Sequence, residues 1–250
     1  MKQLKILSTF GVACILLFSS CGGNDEKTDT VVTTDSTATT APAATTDSAA
    51  ITESTVNTTP ENMVIIWQKV ADFAKWKPAY DGHDSARLAN DVHNYIIGRG
   101  VDDSNLVLVA LKADDVAKAK AFAKDPGLKA AMHKGGVIGA PSISFTTIVY
   151  QDMAKNMSDL RSMTRFMVKD WDAWKKSFES NRQVRTDNGL TDRAYGYDVD
   201  DNHKVTLVVA INDTAKANAY WKSDLIKQKR AESGVVGEVK RYVYRVVQKY

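Results

Sequence analysis

The chain has 250 residues, of which 44% are hydrophobic and 25% charged, and its formal net charge is +3. That is the composition of an ordinary globular protein with room for one large or two small domains, and it excludes a nucleic-acid binder driven by bulk charge. Two cysteines and 8% aromatics exclude a small scaffold stapled by disulfides.

The chain begins with Lys2 and Lys5 ahead of an apolar run, Phe10 to Phe18. The run is too short to span a bilayer but has the length of a signal-peptide core. It ends in Phe18-Ser19-Ser20-Cys21, which resembles a bacterial lipobox, with small residues just before a cysteine that is acylated and becomes the new N-terminus. Residues 1–20 are therefore expected to be a lipoprotein signal peptide and Cys21 the lipidation site. Cys14 lies inside the apolar run and would leave too little of it behind. With Cys14 discarded and Cys21 thioether-linked, the mature chain has no free thiol, which excludes thiolate and redox chemistry. Two or more acyl chains, each contributing about 0.8 kcal/mol per buried methylene, suffice to hold a protein on a membrane. Gly22 instead of Asp after the cysteine, by resemblance to bacterial lipoproteins, points to the outer membrane; Asn24-Asp25-Glu26 faintly resembles a surface-export signal.

Residues 21–61 are rich in Thr, Ser and Ala and carry no sustained apolar period. Such a segment cannot offset its ordering entropy and is expected to be a disordered tether. As a flexible coil it would hold the body on the order of 35 Å from the lipid.

The body repeats itself. A shift of 98 residues sets Val70, Asp72, Trp76 and Lys77 on Val168, Asp170, Trp174 and Lys175 without a gap. The same shift matches Gly98 with Gly196, Val101-Asp102-Asp103 with Val199-Asp200-Asp201, Ala117-Lys118-Ala119 with Ala215-Lys216-Ala217, and Gly136 and Gly139 with Gly234 and Gly237. One constant offset over so many positions identifies a tandem duplication, with units at 62–151 and 161–250 and a short connector between them.

Within the first unit, Val64 to Trp67 is a short apolar strand and Asp72 to about Asn90 has helical spacing, with Pro78 expected to delay or bend that helix. His93 to Arg99 and Leu106 to Leu111 are strands around an Asp-Asp-Ser-Asn turn. Asp114 to about Lys134 is a helix interrupted at Asp125-Pro126 and stopped by Gly135-Gly136; Ser142 to Tyr150 is the last strand. The order β-α-β-β-α-β is the ferredoxin-like split unit, with both helices on one face of its sheet. Val107 to Leu111 and Val205 to Val209 are largely apolar on both sides, so the second sheet face must also be covered, and the other repeat is the available cover. The expected fold is α+β: two tandem ferredoxin-like units packed sheet to sheet as an intrachain pseudo-dimeric α/β barrel.

The run of Val, Asp, Trp and Lys on the first helix, the Val-Asp-Asp hairpin, the Ala-Lys-Ala helix and the closing Gly-Val-x-Gly resemble the dimeric α/β-barrel superfamily, in particular antibiotic biosynthesis monooxygenase-like proteins. Most such proteins pair two identical chains; here the two halves of one chain would do so. The resemblance covers both repeats and implies the fold, while the superfamily includes cofactor-free monooxygenases, haem proteins and members without known activity.

Trp76, Tyr80, His83 and Arg87 are spaced 4, 3 and 4 residues apart, which confines them to an arc of about 60° on a helix. Trp174, Phe178, Asn181 and Arg185 repeat the spacing. A polar residue followed by Arg on a face meant for the sheet suggests a pocket, with His83 as base or donor and Arg87 as anchor for an anionic or carbonyl oxygen. The structural alternative makes the aromatics core, His83 a hydrogen-bonded histidine and Arg87 a snorkelling side chain. The candidate ligand-binding set is Trp67, Trp76, Tyr80, His83, Arg87, Trp174, Asn181 and Arg185, with His83 and Arg87 the candidates for catalysis.

No metal site is expected, because the paired aspartates sit at hairpin tips and the four histidines lack ligand spacing. No cofactor is selected by any motif; Gly135 to Gly139 follows a helix instead of opening one and is not a phosphate loop. Arg165, Arg193, Tyr195, Tyr197, Arg241, Tyr242, Tyr244 and Arg245 enrich the second repeat's strands; they are expected at a solvated sheet edge, with a barrel-facing set that favours an anionic or aromatic ligand as the alternative. Three functions follow: an envelope lipoprotein binding a small organic ligand, a cofactor-independent monooxygenase-like enzyme, or a structural envelope protein. Partners are a small molecule and the membrane, not nucleic acid; association beyond the pseudo-dimer is left open.

Overall fold

The structure, a computed structural model, describes residues 55–155 and 158–250. The expected signal peptide, residues 1–20, and residues 21–54 of the expected tether, Cys21 among them, lie outside the described residues. Among those described, no helix is long and apolar enough to cross a membrane.

A two-residue strand, β1 (Val56–Asn57), pairs with the end of the first repeat's last strand, so the ordered body begins ahead of residue 62. The first repeat then runs β2 (Glu61–Val70), α1 (Phe73–Asp81), α2 (Asp84–Leu88), β3 (Val92–Gly100), β4 (Leu106–Ala113), α3 (Val116–Ala123), α4 (Pro126–Lys134) and β5 (Val137–Asp152). The second is β6 (Leu160–Val168), α5 (Trp171–Ser180), α6 (Arg182–Asp187), β7 (Leu190–Asp198), β8 (Asp201–Ile211), α7 (Thr214–Lys222), α8 (Asp224–Glu232) and β9 (Val235–Lys249).

Capping side chains recur at the repeat offset. Asp72 and Asp170 accept from the backbone amides of Lys75 and Ala173, Asp115 and Asp213 from those of Lys118 and Lys216, and Asp125 and Ser223 from those of Leu128 and Ile226. Each satisfies an amide that the first helical turn leaves open, worth about 1 kcal/mol. The first helix starts on time at Asp72 despite Pro78, which lies inside α1. The single helix expected to reach Asn90 is instead broken at Gly82-His83. The second repeat breaks at the equivalent Asn181 without any proline, so the interruption belongs to the repeat and not to Pro78.

The strand order β5-β2-β4-β3-β9-β6-β8-β7, with β7 returning to β5, closes the sheet into an eight-stranded antiparallel barrel, β1 lying outside β5. Each half has the ferredoxin-like order, and the halves join through two seams, β3 with β9 and β5 with β7. The strand alternation follows from this closure. On β2, Val64 and Ile66 face the helices together with Trp76, while Met63, Ile65 and Trp67 face the barrel interior with Leu108, Met163 and Tyr244. Both faces are buried, each fully buried aliphatic side chain contributing about 1.5–3 kcal/mol.

β5 starts at Val137, not Ser142; Pro141 is accommodated because residues 139–141 lie at a bulge opposite Gln68, between the Trp67–Ser142 and Lys69–Ile138 pairs. The Arg- and Tyr-rich strands of the second repeat are not a solvated edge. Closure leaves β9 between β3 and β6 and β7 between β8 and β5, so Tyr244 is buried in the barrel interior and Tyr195 against α5, Arg193 pairs with Asp152 at 3.1 Å, and Arg245, paired with Asp159, stays exposed.

Candidate functional site

The break at Gly82-His83 turns the chain so that α1 and α2 together wall a cleft against the helix-facing side of β2 and β4. Trp76 is buried and packs at 4.9 Å from the Tyr80 ring, and the Arg87 guanidinium lies 4.0 Å over that ring. The Tyr80 hydroxyl donates to Asn94 Oδ1, whose Nδ2 donates to Asp84 at 2.5 Å. Burial pushes the Tyr80 pKa up, against the opposing charge of Arg87, so the phenol is a neutral donor. Arg87, itself buried, has among the carboxylates of the described residues only a 3.3 Å contact to Asp84.

Trp76, Tyr80, His83 and Arg87 thus converge on one cleft, as their spacing predicted, with Gln68 of β2 opposite them. The cleft holds about 740 Å³ of empty space, its solvent mouth included. Its wall is mostly apolar, with Val64, Leu111 and Met132 among the lining residues. Three polar atoms in this wall are buried and, among the described residues, have no hydrogen-bond partner: Gln68 Oε1, His83 Nδ1 and Arg87 Nε. Buried polar groups are normally satisfied, and leaving one unmade costs about 1–3 kcal/mol.

The equivalent cleft of the second repeat, about 700 Å³ with its mouth, brings together Trp174, Phe178, Asn181 and Arg185, and here the same positions are satisfied. Arg185 forms a two-pronged ion pair with Asp192, Nε to Oδ1 and Nη2 to Oδ2 both at 2.6 Å, and donates to the Phe178 carbonyl at 2.7 Å. Asn181 Nδ2 donates to the Ser177 carbonyl at 2.7 Å. Phe166 stands where the first repeat has Gln68, and Asp192 where it has Asn94. Replacing that aspartate by a neutral amide is what leaves Arg87 without a full partner.

Trp67 is not joined to either cleft. The strand alternation turns it to the other sheet face, inside the barrel, where it stacks on Tyr242 at 4.9 Å and meets Tyr244 edge-on at 5.7 Å. Gln68 and Asn94 escaped the sequence reading. Gln68 sits within an apolar strand, and Asn94 is neighbour to Tyr80 and Asp84 only through the fold. The signal was present in the repeat alignment, where Gln68 falls on Phe166 and Asn94 on Asp192.

The fold is similar to that of solved structures of low sequence identity. One is an anthrone oxidase-like protein, with a TM-score of 0.54 at 11% identity, 78% of this chain and 95% of the other being covered. A candidate monooxygenase from Fusobacterium nucleatum gives 0.50 at 12% identity, covering 76% and 93%. A ferredoxin-fold protein from Listeria monocytogenes related to antibiotic biosynthesis monooxygenases gives 0.43 at 6% identity, covering 76% and 96%. The first two matches take in a share of this chain that neither repeat alone could supply. Together with the closed strand order they show that the chain has the fold of ferredoxin-like dimeric α/β-barrel proteins, built from its own two halves; a fold does not carry its chemistry with it. No family model and no curated protein matches the chain.

Proposed function

We propose that this chain is a lipid-anchored protein of the bacterial cell envelope, held through Cys21 to the outer membrane, that binds a small organic molecule in the cleft between the first repeat's sheet and its helices. The observation that carries the reading is the trio of buried, unpartnered atoms, Gln68 Oε1, His83 Nδ1 and Arg87 Nε, lining one mostly apolar cleft. An apolar pocket with a few convergent polar groups is the usual form of a small-molecule site. A carbonyl or hydroxyl oxygen on the ligand would accept from Arg87 Nε, and a ligand hydroxyl or N–H would donate to Gln68 Oε1, while the apolar wall takes the rest of the molecule.

Native mass spectrometry of the full chain, extracted from membranes in mild detergent, tests this directly. A bound small organic mass is expected in the wild type and is expected to be lost in Arg87→Met and His83→Ala. An empty wild-type chain that binds no small aromatic probe would favour a structural role and overturn the reading. The anchor is tested separately: Cys21→Ala should leave an unprocessed, unlipidated precursor, and normal maturation of that variant contradicts the anchor.

The unpartnered His83 ring nitrogen also favours a second reading, a cofactor-independent monooxygenase-like enzyme in which His83 acts as base. Loss of turnover in His83→Ala with binding retained would single it out; unchanged turnover removes His83 from any mechanism.

A further inference from the structure

The two clefts between sheet and helices have diverged in charge. Met132 and Ile143 line the first; one repeat later the same positions are Arg230 and Arg241, and both line the second. Arg185 and Lys229 also line the second cleft, but each is neutralised, Arg185 by Asp192 at 2.6 Å and Lys229 by Glu232 at 3.0 Å. Among the described residues Arg230 and Arg241 have no such carboxylate. The Arg241 guanidinium stacks 4.1 Å over the Trp221 ring, and its Nε is buried with no hydrogen-bond partner among the described residues.

This is an unusual arrangement for a surface arginine, which would carry its head into water. Burial, and the like charge of Arg230, depress the Arg241 pKa to about 10; burial depresses that of Arg230 as well. Both remain cationic at neutral pH. The Tyr220 phenol lies near these cations, but burial pushes its pKa up, so it supplies no counter-charge. Two half-buried like charges beside an aromatic wall are destabilising unless an opposite charge joins them.

We propose that the second cleft is an anion site. It takes a small amphiphilic organic acid, its carboxylate, sulfonate or phosphate held by Arg230 and Arg241 and its apolar or aromatic body lying against Trp174, Tyr220 and Trp221. The assignment rests on the reading of the sheet-to-helix clefts as ligand sites and adds to the first repeat's site a second one, in the other repeat, with the sign of its ligand's charge. Arg supplies the planar fork that suits such oxygens, and a charge-assisted hydrogen bond formed out of water is among the stronger contacts.

Isothermal titration of the full chain with two probes of one shape tests it: 1-anilinonaphthalene-8-sulfonate, which is anionic, and N-phenyl-1-naphthylamine, which lacks the sulfonate. Arg230→Met and Arg241→Met should each weaken the sulfonate by about tenfold or more while leaving the neutral probe unchanged. Arg245→Met, which removes an exposed arginine, should change neither. If the neutral probe binds and the sulfonate is held equally by wild type, Arg230→Met and Arg241→Met, the anion assignment is overturned and the cleft reading stands. If neither probe binds, the cleft reading falls and takes the anion assignment with it. Should Arg241→Met not fold, added salt decides on the wild type: sulfonate affinity must fall with ionic strength while the neutral probe's does not, and salt-independent sulfonate binding overturns the proposal.

Discussion

Gly98 and Gly196, one repeat apart, occupy matching places in the two seams that close the barrel. Gly98 of β3 pairs with Val246 of β9, and Gly196 of β7 pairs with Ile148 of β5. A Cβ on Gly98 would come within 2.4 Å of the Tyr244 ring, and one on Gly196 within 2.0 Å of the Thr147 carbonyl oxygen. The duplicated glycine is therefore a requirement of closure, where one half's backbone must approach the other half closely. Gly196→Ala meets backbone that cannot step aside and should destabilise the chain by about 3 kcal/mol or more; Gly98→Ala meets a buried ring and should cost about 1–3 kcal/mol. Urea unfolding of both variants checks this; two nearly neutral substitutions would contradict the close approach at the seams.

The Arg185–Asp192 pair is buried on both sides. Removing one partner of such a pair leaves an uncompensated charge, at a cost of about 3–5 kcal/mol. Asp192→Asn, which installs the first repeat's own arrangement, should lower stability by an amount in that range, whereas Asn94→Ala in the first repeat should cost about 1–2 kcal/mol because no full ion pair is lost. Equal effects from the two would contradict the asymmetry of the clefts.

Stability should fall in alkali. Burial pushes the Tyr244 phenol above its ordinary value of 10.0, and Tyr80 and Tyr195 shift in the same direction. Below pH 10 folded and unfolded chains both keep these protons, so stability does not depend on them. Above it the unfolded chain releases protons that the folded chain retains, and stability is lost as pH rises toward the folded values. Arg241, with its lowered pKa, acts in the opposite direction over the same range. Tyr244→Phe should flatten the decline between pH 10 and 11 relative to wild type, measured by thermal unfolding; an unchanged slope would contradict the burial of that hydroxyl.

Much of the fold was legible because the duplication writes every signal twice. Asp72 and Asp170 stand at the start of the first helix of each repeat, Ala117-Lys118-Ala119 and Ala215-Lys216-Ala217 mark the second, and the two-sided apolar run at Val107 to Leu111 demands a covered second face. The break at Gly82-His83 was not legible, since Tyr80, His83 and Arg87 keep helical spacing across it. Nor were the seams, which pair residues as far apart as Gly98 and Val246 with no local mark beyond a glycine. The cleft was half legible: the stripe from Trp76 to Arg87 was visible along one helix face, but Gln68 and Asn94 join it only through the sheet, and Trp67 was assigned to it before strand alternation turned it away.

Each half needs the other to cover its barrel-facing sheet, where Met63, Ile65 and Leu108 meet Met163 and Tyr244. Sedimentation equilibrium and circular dichroism of residues 55–155 expressed alone test this most directly. The expected result is a chain that is either unfolded or folded only as a dimer of itself, the copy standing in for the missing repeat; a folded, stable monomer would contradict the account.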